Sequence, residues 1–104
     1  MFKLISRAKE IEKISITGMV EIPAYNTKFP PVKAFRAALI NSELDYAGMY
    51  AAKAIAFANS GHVKEAEDNM RWAERAFSRY EWARDASLKD IHLYEIDWYR
   101  ICRV

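Results

Sequence analysis

The residues whose types invite a chemical reading are two histidines, one cysteine and a run of arginines. His92 lies close to Asp90 and Asp97 in sequence. An imidazole beside a carboxylate can do general acid–base work, provided the two groups reach each other. On a helix Asp90 and His92 fall on different faces; on a strand they share one, with Tyr94 joining them. His62 follows Gly61 and reads as a solvated turn residue. The chain has no glycine-rich phosphate loop, no G-x-S-x-G and no H-E-x-x-H. Its lone cysteine, Cys102, excludes an internal disulfide, a thiolate zinc site and a CxxC pair. The expectation is a protein without catalysis, metal or cofactor.

Arg71, Arg75 and Arg79 are spaced by four, which makes one stripe on a helix, with Arg84 beyond it. Guanidinium groups can contact phosphates while indoles such as Trp72 and Trp82 stack on bases, so nucleic-acid binding is one reading. Glu67, Glu74, Glu81 and Asp85 share the same stretch, and the other reading is a solvated charged face. Protein recognition needs a different combination. Trp72 and Trp82 fall out of phase with the seam of Ala73, Phe77 and Tyr80, so they belong at the flank of that helix. Trp, Tyr and Arg are the usual anchors of protein interfaces. The candidate contact set is therefore Trp72, Trp82, Arg75 and Arg79, with Tyr25 and Phe29 of a Pro-flanked loop as a second element. The competing reading has the two indoles packed under the N-terminal segment or the C-terminal tail.

Length and composition bound what can position these groups. The 104 residues fit one domain, 1–104. Charged residues are 29% and hydrophobic ones 52%, with 3 Gly and 3 Pro, the balance of a globular chain. Sixteen basic against fourteen acidic residues leave +2, too little to announce a polyanion by bulk charge. The first residues reach Lys3 and Arg7 without the apolar run of about 7–15 residues that a secretory signal needs. The most apolar stretch, Ala47 to Ala58, contains Lys53 and is too short to span a bilayer. A cytoplasmic protein with no membrane contact is expected.

Periodicity then outlines the elements. Leu4, Ala8, Ile11 and Ser15 follow a helical step and predict a short amphipathic helix over 2–13, with a strand as the alternative because Phe2, Leu4 and Ser6 alternate with Lys3 and Ile5. Ile14, Ile16, Val20 and Ile22 share a parity and predict a short extended segment over 14–22, with Gly18 as a bend and Pro23 as its end. Residues 23–31 read as a loop. A first helix is expected over 32–40, then a second from a Ser42 cap with Asp45 three residues on, running to Asn59. Gly61 supplies a left-handed stop. A third helix follows, with Glu65, Glu67 and Asp68 early and Arg79 and Arg84 late, as its dipole favours. Residues 87–104 are strand-like by type but helical by spacing, through Ile91, Tyr94, Trp98 and Ile101, with a break at Ala86–Ser87.

The stretch from Ala47 to Ser78 resembles one tetratricopeptide-type helical hairpin, carried by Tyr50, Ala54, Phe57, Gly61, Ala66, Met70 and Ala73. Lys53 and Ser78 depart from the pattern at its usual Leu and Pro sites, and no second copy occurs at an offset of about 34 residues. The resemblance implies two tightly packed helices whose remaining apolar surface must be covered by the flanking segments or by a second copy of the chain. The expected fold is mainly α: a compact helical bundle built on this αα-hairpin, with the extended segment at 14–22. The alternative is α+β, with 87–104 a strand paired to 14–22. The expected function is a small non-catalytic protein-binding module, an adaptor or an inhibitor of a larger protein, with homodimerisation open. Phage-encoded inhibitors of host systems are the class-level analogy. Nucleic-acid binding through Arg71, Arg75, Arg79 and Arg84 is the alternative.

Overall fold

A computed structural model describes residues 1–26 and 31–102. It contains four helices: α1 (Phe2–Thr17), α2 (Val32–Asn59), α3 (Val63–Asp85) and α4 (Leu88–Cys102). No strand occurs among the described residues. The fold is a mainly α bundle, and over Leu88–Cys102 the helical spacing prevails over the strand-like composition.

The α2–α3 hairpin is the centre of the molecule. Its turn is dictated by Gly61, which takes φ +79, a conformation that costs a side-chain-bearing residue about 1–2 kcal/mol. The Gly61 N–H donates to the Ala58 carbonyl and the His62 N–H to the Phe57 carbonyl. This is the double hydrogen bond of a Schellman stop, and the rings of Phe57 and His62 meet at 6.1 Å across it. Beyond the turn, Ala47, Ala51 and Ala54 of α2 and Ala66, Ala73 and Ala76 of α3 are wholly buried. Side chains this small let two helix backbones approach closely. Leu44, Met70, Phe77 and Tyr80 fill the space at the ends of this alanine seam. The arms of the hairpin, 28 and 23 residues long, both run past the bounds of a single tetratricopeptide-type unit.

α1 lies along the hairpin and inserts Ala8 and Ile11 into the core. Its close approach to α2 occurs where Ser15 meets Gly48: a Cβ at Gly48 would stand 2.9 Å from the Ser15 Cβ. Arg7 clamps α1 to α3, donating from Nε to Glu74 at 2.6 Å and lying over the Phe77 ring at 5.1 Å. Its pKa is raised, chiefly by that hydrogen bond to Glu74. α4 is seated mainly on α2. Ala86 adopts an extended conformation, ψ 150, that ends α3 and redirects the chain. An Arg36 guanidinium N–H donates to the Ala86 carbonyl and so ties this corner to α2.

Two expected boundaries differ. Residues 14–17 do not begin an extended segment; they complete α1, because buried Ser15 continues the Ala8–Ile11 face at the helical step. The irregular stretch starts after Gly18 and runs to Asn26, pinned to α2 where the Val20 backbone exchanges two hydrogen bonds with the Asn41 side chain, at 2.8 and 2.9 Å. Ser42 caps nothing. It lies mid-helix in an α2 that runs unbroken through Asn41–Asp45, since Ile40, Leu44 and Ala47 carry the buried face across the junction.

Candidate protein-binding surface

Four aromatic residues of α2, α3 and α4 converge on one side of the bundle. Trp82 near the end of α3 and Tyr94 of α4 have ring centroids 5.4 Å apart. Tyr94 lies 6.2 Å from Phe35 of α2, and Phe35 lies 6.1 Å from Trp98 of α4. Four rings thus form a continuous strip across three helices. Tyr94 and Trp98 are one turn apart on α4, which places both on the flank beside Phe35. Tilted and edge-on geometries of this kind stabilise aromatic pairs beyond the area they bury. The strip is not sealed: Trp82, Tyr94 and Trp98 each keep more than a third of their surface in solvent.

Each end of the strip borders a groove. The larger has a volume of about 340 Å³ and lies between α2, Trp98 and the irregular segment. Ala34, Ala38 and Ser42, spaced by four on α2, form its floor, while Ile22, Tyr25, Phe35 and Leu39 wall it. The smaller, about 300 Å³, lies between α3 and α4 and is lined by Ser78, Arg79, Trp82 and Tyr94. The first falls at the low end of the sizes that hold small ligands, and both are open to solvent, which suits an extended apolar segment.

The predicted contact residues separate into two groups. Trp82, Arg79 and Tyr25 belong to the strip and its grooves. Trp72, Arg75 and Arg71 do not. Trp72 is 50% exposed, leans on Tyr50 at 6.4 Å and carries the Arg75 guanidinium 4.9 Å above its ring. Ten residues separate Trp72 from Trp82, about 15 Å along the α3 axis and roughly 80° around it. Phe29 lies outside the described residues.

The arginines of the predicted stripe are mostly engaged. Arg79 Nε donates to the Glu43 carboxylate at 2.8 Å, and Glu43 is buried. Arg71 pairs with Asp68 at 3.4 Å. Arg84 forks onto Asp85 at 2.8 and 2.9 Å and lies over the Tyr80 ring. The hydrogen bonds that Arg84 makes to Asp85, then with Tyr80, raise its pKa, and the same Arg84 contact holds the Asp85 carboxyl below its ordinary value.

The histidines are placed apart. His62 is exposed at the hairpin turn. His92 Nδ1 is 3.4 Å from Glu95 Oε1, so its carboxylate neighbour is neither Asp90 nor Asp97. Glu95 is buried and its second oxygen has no hydrogen-bond partner, as is true of Arg36 Nε. Neither His92 nor Glu95 lines either groove. No group of three or more potential metal ligands occurs among the described residues. No helix among them is long and apolar enough to cross a membrane.

Phe35, Tyr94 and Trp98 are the strip residues that sequence reasoning missed as contacts. The four-residue step from Tyr94 to Trp98 was a usable signal, but nothing in spacing joins it to Phe35 or Trp82 on other helices. Comparison with protein-family models, with curated proteins and with solved structures finds no significant match for this chain.

Proposed function

We propose that this chain is a small non-catalytic protein-binding module that captures an apolar segment of a larger protein along the Trp82–Tyr94–Phe35–Trp98 strip. The observation that carries the reading is the continuity of the strip: four rings from three helices, three of them more than a third in solvent, with a groove at each end. Half-exposed Trp and Tyr offer large contact area at low conformational cost, and binding hot spots are enriched in them. The helices beneath hold the rings in place, so little ordering is left to do on binding. Such a module acts as an adaptor, or as an inhibitor where its ligand is a working surface of the partner.

Nucleic-acid binding through the arginine stripe has less behind it. Arg71, Arg79 and Arg84 are each neutralised by a neighbouring carboxylate, and Arg75 lies over an indole. Affinity capture with the full chain, with and without nuclease, separates the two readings. The proposal expects a stoichiometric protein that survives nuclease. Recovery of nucleic acid, or loss of partners on digestion, would shift the assignment to the arginines.

A further inference from the structure

Among the described residues, none covers the outer face of α4. Among its described residues Ile91 and Glu95 are buried, and α2 is its main seat. Its outer side is mostly charged, with Lys89, Asp90, Asp97 and Arg100 exposed there, but it also carries apolar side chains. Tyr94 and Trp98 flank the seat, while Leu93 points directly away from it and Ile96 lies on the outer side; Leu93 is 52% exposed and Ile96 42%. Exposed apolar side chains set within a charged face suit a contact with an apolar centre and a polar rim.

Two quantities favour a second copy of the chain as its cover, the first a property of the whole molecule and the second of this face. A compact monomer of this mass exposes about 6,000 Å². This chain exposes 7076 Å², roughly 1,000 Å² more, and each partner in a standard interface contributes about 800 Å². Its radius of gyration, 15.7 Å, likewise exceeds the ~13 Å of a compact chain of similar length. The second quantity is charge. Lys89, Leu93 and Asp97 form one four-residue row along the outer face, with opposite charges at equal distances on either side of the leucine. Both charged residues are exposed, and among the described residues neither enters an ion pair. Such a row is complementary to itself when reversed. A twofold axis at Leu93 brings two copies together antiparallel, and each Lys89 then faces the other copy's Asp97. The commonest crossing of packed helices, near −50°, sets such four-residue rows alongside each other. Closed twofold dimers are also the commonest soluble assembly.

We infer that the outer face of α4 is a homodimer interface, with Leu93 at its centre and two Lys89–Asp97 pairs at its rim. The aromatic strip lies on the flank of α4, well away from this face, so a dimer presents two strips at once. A bivalent module gains avidity for a partner that is itself repeated or dimeric.

Sedimentation equilibrium of the full chain over a micromolar concentration series tests the inference, with far-UV circular dichroism to confirm that each variant is folded. The wild type is expected to associate to twice the monomer mass. Leu93→Glu is expected to weaken association by at least about tenfold, because it sets two carboxylates on the axis. Lys89→Asp and Asp97→Lys are each expected to weaken it several-fold, and the double swap to restore it, since every rim pair is then re-formed with the signs reversed. Lys89→Asp places an acid in the first turn of α4, which favours the helix, so its effect cannot come from melting α4. A monomeric wild type throughout the series would overturn the inference. So would a dimer that Leu93→Glu leaves intact, or one that the charge swap fails to restore. Loss of a different bound protein on Leu93→Glu, with the chain itself monomeric, would assign the face to that protein instead.

Discussion

Gly48→Ala tests the packing of α1 on the hairpin with an effect whose sign is diagnostic. Gly48 lies in the middle of α2, where alanine is the better helix former by about 1 kcal/mol. If nothing stood against Gly48, the substitution would stabilise the protein by that amount. The structure places a Cβ there 2.9 Å from the Ser15 Cβ, about an ångström inside ordinary contact. That neighbour is fixed close to the α1 backbone, and the Ser15 hydroxyl is already bonded to the Glu12 carbonyl at 2.6 Å. Rotating a side chain therefore cannot relieve the overlap, and α1 must move off α2. Overpacking of this kind costs about 1–3 kcal/mol, which outweighs the propensity gain. The expected net loss is up to about 2 kcal/mol, read in urea denaturation as a midpoint lower by up to roughly 1 M at unchanged slope. Ser15→Gly in the same chain removes the opposing Cβ, and the cycle is expected to show a coupling of about 1 kcal/mol or more between the two sites. A Gly48→Ala midpoint above the wild type, or strictly additive effects of the two substitutions, would refute the close approach of α1 and α2.

Three further outcomes follow from the geometry. Gly61→Ala is expected to cost about 1–2 kcal/mol in thermal or chemical denaturation, because alanine must take φ +79 while no neighbour crowds it. Arg79→Ala is expected to destabilise the chain more than Glu43→Gln does. The first strands a carboxylate in the buried site, while the second leaves a neutral group there and an arginine with access to water; the order of the two denaturation midpoints decides. Asp85 is expected to titrate below its ordinary 3.8 by carbon-detected NMR, and Arg84→Gln to move the midpoint back up. Because its folded pKa is depressed, whatever stability Asp85 contributes is present above its unfolded pKa and is lost as pH falls through the folded one.

The parts of the fold legible in the sequence are those with a local chemical signature. Gly61 marks the hairpin turn because only glycine takes that conformation freely, and the alanines of α2 and α3 mark the seam by their spacing. Ala86–Ser87 marks the break before α4. The misread parts carry conflicting local signals. The alternation of Ile14, Ile16, Val20 and Ile22 suggested an extended segment, but the residue that α1 buries there is Ser15. Ser15 falls on the helical step of Leu4, Ala8 and Ile11, but a small polar side chain adds no hydrophobic signal there, and the reason it is buried is Gly48, more than thirty residues away. Ser42 and Asp45 match a cap pattern, yet the apolar residues around them continue the core face without a gap, and the longer helix prevails. The strip was half legible. Trp82 and Tyr25 stood out by type, and Arg79 was named for its place in the stripe. The structure shows that Arg79 also neutralises a buried Glu43. Phe35 and Trp98 become neighbours only through the docking of α4 on α2, which no spacing within one helix can report.

The most direct measurement is a side-by-side affinity capture with the full chain and three variants: Trp82→Ala, Trp98→Ala and Trp72→Ala. All three indoles are about half exposed, so each variant is expected to retain the wild-type circular dichroism spectrum. Loss of a hot-spot indole costs about 2 kcal/mol or more, a weakening of roughly thirtyfold. Binding through the strip predicts that Trp82→Ala and Trp98→Ala lose the protein captured by the wild type, while Trp72→Ala keeps it. Retention of that protein by both strip variants, or its loss from Trp72→Ala alone, would contradict the assignment of the strip as the binding surface.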